Sequence, residues 1–323
     1  MHAFGYGRPP NDATRPPWLS RDLQRPVIPA VIHRMIQGKA RIRGTSNGAG
    51  RVGGKRARRA TLIGDAAAFS KMGTRQANED SYAFWWVGDA FFAAVADGLG
   101  GMGGGAHASS YVVGFMRTHA TRPGIGAAEL AEVVRESHRG LRAMQKRSVE
   151  DHSMATTLTV MRLHSDELVA AHCGDSRLYM IGRERVEQLT EDHSEAQRLF
   201  NEGRLSQVDL ASYPRRHILE SALGIPGEPV VQEIRRKVGA GDWLVLATDG
   251  AYGMLEPHDL ADVARESRKP RQFSAACLGL IEVRGPQDNY TIVVARASGN
   301  RVLHALKRVF HRPKAAGNAP HCE

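Results

Sequence analysis

The sequence predicts an α+β fold, an antiparallel sheet system covered by helices. Three observations lead there. From residue 62 onward, short runs rich in β-branched and aromatic residues recur, each bounded by Gly, Asp or Asn. Segments of helical period lie between some of them. The strand-like runs cluster at both ends of this region, with two long helical segments between them early on. That order is not the strand–helix–strand alternation of a parallel sheet.

The strand-like runs fall near 62–69, 81–87, 90–96, 154–163, 167–173, 176–181, 230–238, 242–247 and 290–296. Helical patterns lie at about 105–120, 127–147, 195–203, 257–266 and 271–282. Ser194-Glu195-Ala196-Gln197 reads as a capping box that opens the third of these helices, and Gly203 as its stop. Between Thr190 and Gly224 the chain is polar and lacks strands. A connection of this length in a compact domain is more often functional than not, so the segment at about 194–223 is expected to form a flap beside a site.

The formal net charge of +10 belongs to two tails. Residues 1–60 are rich in Pro, Gly and Arg, without a sustained apolar period, and read as a disordered basic tail. Val27–Ile36 is the one stretch with transient helical character, and Lys55–Arg59 is a basic cluster. Residues 298–323 form a second basic tail, with Val302, Leu303, Leu306, Val309 and Phe310 on one helical stripe. Packing on the domain is the reading of that stripe, with an anionic membrane surface or a partner as the alternative; for the N-terminal cluster the alternative to a solvated tail is contact with an acidic surface or nucleic acid. The stretch 61–297 is mildly acidic, which argues against nucleic-acid binding by the folded part. No run approaches about 18 apolar residues, and no apolar segment opens the chain. Three unrelated cysteines fit reduced thiols, so a cytoplasmic protein is expected.

Four segments place an aspartate at a turn: Asn78-Glu79-Asp80, Ala96-Asp97-Gly98, Thr248-Asp249-Gly250 and Asp288-Asn289. Phe91–Ala96 runs into Asp97, Trp243–Ala247 runs towards Asp249, and Asp288-Asn289 opens Tyr290–Val294. A carboxylate at the tip of a buried strand is costly unless it is paired or bound to a cation. The repetition points to one hard-cation site of the Mg²⁺ or Mn²⁺ kind, with Gly98 and Gly250 read as sharp turns. Arg75 precedes the first acid pair and suits a bidentate grip on phosphate.

These segments, with others between them, resemble the bacterial PPM family of protein Ser/Thr phosphatases, the protein phosphatase 2C type. In the family's order they are Gly73–Ser81, Val95–Gly101, Ala155–Leu158, Gly174–Tyr179, Leu189–Ser194, Leu219–Gly224, Ala247–Gly250 and Asp288–Thr291. An Asp-Gly turn alone says little; eight segments in order across 61–297 are specific. The resemblance implies a four-layer α-β-β-α sandwich of two antiparallel sheets flanked by helices, with two Mg²⁺ or Mn²⁺ ions in a cleft at one edge. Carried over, Asp97 bridges the two metals, Gly98 offers its carbonyl, and Asp249 and Asp288 ligate. Glu79 and Asp80 hold waters on the metals, and Arg75 grips the substrate phosphate. Asp175 matches a position used with Asp249 for a weaker third metal; its other reading is an anchor for the turn before Ser176-Arg177. The implied reaction is direct attack of a metal-bound hydroxide on phosphoserine or phosphothreonine. The implied partners are phosphorylated proteins and a cognate Ser/Thr kinase. A pseudophosphatase that binds phosphoproteins without turnover is the competing reading.

No cysteine has the phosphate-cradling Arg six residues on: Tyr179 follows Cys173 and Val283 follows Cys277 at that spacing. Asp192 and His193 are expected to be structural, Arg177 to pair internally, Cys173 to behave as a small buried hydrophobe and His172 to alternate out of its strand. Two positions depart from the family: Leu99 replaces the histidine that eukaryotic members often carry, and Met102 replaces one common in bacterial members.

Overall fold

The computed structural model describes residues 63–100, 104–147, 154–183 and 185–298. Both tails, with Val27–Ile36, Lys55–Arg59 and the 302–310 stripe, and also Met102, lie outside the described residues.

Two five-stranded antiparallel sheets make up the centre. The first has the order β1 (Ile63–Lys71), β12 (Tyr290–Ala297), β11 (Trp243–Ala247), β8 (Arg177–Ile181) and β9 (Val186–Gln188). The second has the order β10 (Gln232–Lys237), β7 (Glu167–Cys173), β6 (Leu158–His164), β3 (Ala90–Ala96) and β2 (Ser81–Val87). A two-residue ladder joins β4 (Gly98–Leu99) to β5 (Ala155–Thr156). Helices α1 (Gly104–His119) and α2 (Ala127–Gln145) cover the second sheet. Helices α6 (Pro257–Glu266) and α7 (Pro270–Arg284) cover the first. Short helices α3 (Glu195–Asn201) and α4 (Gln207–Ser212) lie in the predicted flap, and α5 (Asp249–Tyr252) is a single turn after β11.

The expected four layers follow from how each strand divides its side chains. In β3, Phe92, Ala94 and Ala96 face α1 and α2, while Phe91, Ala93 and Val95 face the other sheet. In β12, Ile292 and Val294 face α6 and α7, while Val293 and Ala295 meet the second sheet. A strand buried on both faces loses the polar half of its alternation, which is why β3 and β11 read as unbroken apolar runs.

The differences from the sequence reading are local. The run at 154–163 is two strands, because Thr157 leaves the ladder to bond the tip of β3. The ladder β4–β5, the polar β9 and the single turns α4 and α5 are too short to show a period. Ser194 does cap α3, accepting from Gln197 N–H at 3.3 Å, and Gly203 follows in the left-handed region at φ 71°. His172 does not alternate outwards. The opposing sheet covers its face of β7, and the ring is fully buried, with Nδ1 2.8 Å from Thr159 Oγ1 and Nε2 3.1 Å from the Glu191 carbonyl.

Burial, with His193 adding to it, pushes the His172 imidazole down to about 3. The unfolded chain therefore binds a proton that the folded chain refuses, and stability falls as pH drops from about 6.5 towards 3. His172→Gln is expected to make this fall shallower by about 1.4 kcal/mol per pH unit in that window, measured by denaturant midpoints between pH 4 and 7.

Candidate active site

Register brings the predicted acids to one edge of the sandwich. Ser81 pairs with Ala96, so Asp80 and Asp97 flank the same end of β2 and β3. Ala247 of β11 pairs with both Ile292 of β12 and Arg177 of β8, so Asp249, Asp288 and Asp175 arrive at the neighbouring end. The five aspartates act on one another. Burial first, then the charges of Asp80, Asp249 and Asp175, hold the Asp97 carboxyl well above the usual carboxylate range. Asp97 also shares a side-chain hydrogen bond with Asp249; two carboxyl groups in that relation need a proton or a cation between them. Burial and the charge of Asp249 push Asp175 up to about 8.

Asp80 is held by residues distant in sequence. Its Oδ2 accepts from Thr291 Oγ1 at 2.6 Å and from Thr248 Oγ1 at 2.8 Å, and both threonines are fully buried. Its Oδ1 is buried with no partner. Burial pushes this carboxyl up to about 7 despite the two hydroxyl donors, with Asp249 and Asp288 adding to the rise. Asp97 is fixed through its backbone: Thr157 N–H and Thr156 Oγ1 donate to its carbonyl at 2.9 and 2.8 Å. Asn289 ties down the segment that carries Arg75 and Glu79. Its Nδ2 donates to the carbonyls of Met72 and Ala77 at 2.8 and 2.9 Å, and its Oδ1 accepts from Glu79 N–H at 2.8 Å.

Gly98 and Gly250 are required for a reason other than the expected turn. Neither has positive φ. A Cβ on Gly98 would strike the carbonyl oxygens of Gly105 and Glu79, and one on Gly250 would strike that of Asn289. Backbone approach sets these two glycines, and it brings the acid-bearing tips close together.

Arg75 and Asp288 meet each other: Nη2 lies 2.7 Å from Oδ2, with side chains 59% and 40% exposed. A pair this exposed is weak and exchangeable. Among the described residues no three acidic, His or Cys side chains already close into a metal cage, and Asp288 is turned onto Arg75 instead. The donor set nevertheless fits a hard divalent cation. It includes the Asp97 and Asp175 carboxyls, which burial first and neighbouring acids second hold above the usual carboxylate range, beside one buried carboxylate oxygen of Asp80 that lacks a partner.

The neighbours take the roles expected of them. Arg177 grips Asp192 through Nε at 3.0 Å and Nη2 at 2.7 Å. His193 Nδ1 accepts from Gly174 N–H at 3.2 Å. Burial raises the Cys173 thiol to about 12, leaving no nucleophilic thiolate there. The flap is rooted beside the site by the Ser194–Leu219 bridge, and His217 Nδ1 reaches to 3.9 Å from Asp249 Oδ2. Sequence reasoning assigned no role to Thr248, Thr291, Thr157 or Asn289. The available signal was a polar residue beside each acidic tip, at the end of an otherwise apolar strand. Asn289→Ala, which strands three backbone groups, is expected to cost about 2–4 kcal/mol in denaturant unfolding. Gly250→Ala is expected to cost about 1–3 kcal/mol in the same measurement.

Residues 70–279 match the model of the family described as protein phosphatase 2C. The serine/threonine phosphatase stp of Listeria monocytogenes is 28% identical over 206 residues, covering 62% of this chain and 82% of that protein. The serine/threonine protein phosphatase PstP of Mycobacterium tuberculosis is 31% identical over 246 residues, covering 73% of this chain and 46% of that longer protein. A solved structure of the PstP catalytic domain in complex with two manganese ions is similar at a TM-score of 0.63, with 28% identity over 72% of this chain and 98% of that one. With its sandwich, its carboxylate edge and a family match across most of the described residues, the chain belongs to the protein phosphatase 2C family.

Proposed function

We propose that this protein is a metal-dependent phosphatase of phosphoserine and phosphothreonine proteins, acting at the five-aspartate edge. The carrying observation is the cluster itself: five aspartates at one edge, with the Asp97 carboxyl held well above the carboxylate range by burial and by its acidic neighbours, and a guanidinium at the rim. In this reading Asp97, Asp249, Asp288 and the Gly98 carbonyl would hold two Mg²⁺ or Mn²⁺ ions, Asp97 serving both, and Asp175 with Asp249 would hold a third. The manganese-bound relative and the hard donor set support the choice of ion. When bound, the ions would supply a water of lowered pKa and would offset charge on the phosphoryl group.

The chain's own residues do the rest. Arg75 exchanges Asp288 for two phosphate oxygens and orients the phosphoryl group. Asp80 Oδ1 accepts a hydrogen bond from a cleft water, while Thr248 and Thr291 keep Oδ2 fixed. Glu79, with its backbone locked to Asn289 and Ser109, holds a second water. Leu99 carries no proton, so the leaving oxygen takes its proton from water in the cleft. The flap forms the rim that a phosphoprotein crosses. A Ser/Thr kinase with the same substrates is the expected counterpart. No described helix is long and apolar enough to cross a membrane. The free thiols of Cys173 and Cys277 support a cytoplasmic setting as part of the proposal. Residues 61–297 are the catalytic unit, with basic tails on either side.

With Mn²⁺, hydrolysis of p-nitrophenyl phosphate and of a phosphothreonine peptide is expected, with loss in chelator. Asp249→Asn is expected to lower kcat/KM by ~100-fold or more. Arg75→Ala is expected to cost about 1.5–3 kcal/mol of transition-state binding, the value of a charged hydrogen bond. Full activity in chelator, or an undiminished Asp249→Asn, overturns the reading. Phosphopeptide binding without turnover would identify a pseudophosphatase. Removal of residues 1–60 is expected to leave turnover of the small substrate unchanged.

A further inference from the structure

Arg177 lies beside the acidic edge without belonging to it. Its guanidinium is anchored on one side by Asp192, through Nε at 3.0 Å and Nη2 at 2.7 Å, and Gln188 Nε2 holds the same carboxylate at 3.3 Å. Asp192 is only 10% exposed and stands two residues before Ser194, where the flap begins. The guanidinium carbon lies over the Tyr252 ring, 3.9 Å from its centroid. Nη1 is 3.3 Å from the hydroxyl of Tyr179.

Tyr252 ends the single turn α5, and Asp249 begins it. Tyr252 N–H and Ala251 N–H both return to the Thr248 carbonyl at 3.0 Å. A helix of four residues has almost no internal support, so its orientation is set by what its side chains meet. On the side of Tyr252 that support is Arg177 together with the apolar cluster that holds Ala251 and on which Tyr252 packs. On the side of Gly250 it is the close backbone of Asn289.

We propose that Arg177 is a positioning residue. It clamps α5 through Tyr252 to the flap root at Asp192, and so aims the Asp249 carboxylate at the divalent cations. This rests on the proposed metal site. The clamp acts through shape: Arg177 forks onto Asp192 and covers the Tyr252 ring, a geometry that a guanidinium supplies and a lysine does not, while its charge is felt at Asp175. The same clamp makes the flap root and the Asp249 turn one mechanical unit.

The test uses two substitutions that preserve charge, in the full chain, with Mn²⁺ alone as the probe. Arg177→Lys removes the fork and the stacking plane. Tyr252→Leu removes the ring and leaves the Arg177–Asp192 pair intact. Mn²⁺ binding is read by calorimetry, and turnover of p-nitrophenyl phosphate is read across a Mn²⁺ series. Each variant is expected to raise the Mn²⁺ midpoint about five- to tenfold, with kcat at saturating Mn²⁺ within about threefold of wild type. Tyr252→Phe, which keeps the ring, is expected to recover most of the loss. A residue that served only the fold would lower the melting temperature and leave the midpoint of the folded protein where it was. A wild-type midpoint in Tyr252→Leu overturns the clamp, and decides the matter even where Arg177→Lys fails to fold. Failure of the wild-type protein itself to bind Mn²⁺ would instead overturn the metal site on which the clamp depends.

Discussion

Five aspartates gathered at one edge of the sandwich, three of them strained by burial first and by their neighbours' charge second, are the constraint that organises the rest of the molecule. Two unit charges ~5 Å apart at an effective dielectric of ~20 repel by about 3 kcal/mol. A hydroxyl hydrogen bond to a charged carboxylate returns about 1.5–3 kcal/mol. The two threonines that hold Asp80 outweigh the charges of Asp249 and Asp288 but not burial, and its carboxyl stays raised. The pattern makes sense if the cluster exists for a cation: a divalent charge turns the largest local cost into the largest local gain, and a protein without one must keep protons there.

The sandwich makes such a cluster affordable by burying everything else. Two sheets with helices outside leave central strands such as β3 and β11 apolar on both faces, so the acids of these strands stand just beyond their ends. Antiparallel register then sends the tips of β3, β11 and β12 to the same edge. Glycine at 98 and 250 lets backbones approach where a Cβ would hold them apart. In the proposed function, phosphate recognition falls to Arg75 at the rim, which is exposed and paired to the part-exposed Asp288. Asp80 and Asp175 lie buried behind it.

Long strands and the acidic tips were legible in the sequence because their signal is local. A run such as Ala90–Ala96 followed by Asp97 carries its meaning within a few residues. The order of segments supplied the family, its four layers and the parts assigned to Asp97, Asp249 and Asp288. Short elements were not legible: β4, β9 and α5 hold too few residues to display a period. Nor were the supports. Thr248 and Thr291 meet Asp80 across 168 and 211 residues, and nothing local marks those partnerships. The pairing of Arg75 with Asp288 spans 213 residues and depends wholly on the folded register. His172 was misplaced for the same reason, since the sheet that covers it is built from distant chain.

The most direct measurement of the central claim is a crystal structure of the protein soaked in Mn²⁺, with anomalous scattering recorded at the manganese edge. The account predicts two strong peaks on either side of the Asp97 carboxylate, with Asp249 and Asp288 as ligands, Asp288 released from Arg75, and Asp80 Oδ1 facing a water on one ion. Anomalous peaks elsewhere on the surface, or none at this edge with the Arg75–Asp288 pair intact, would contradict it.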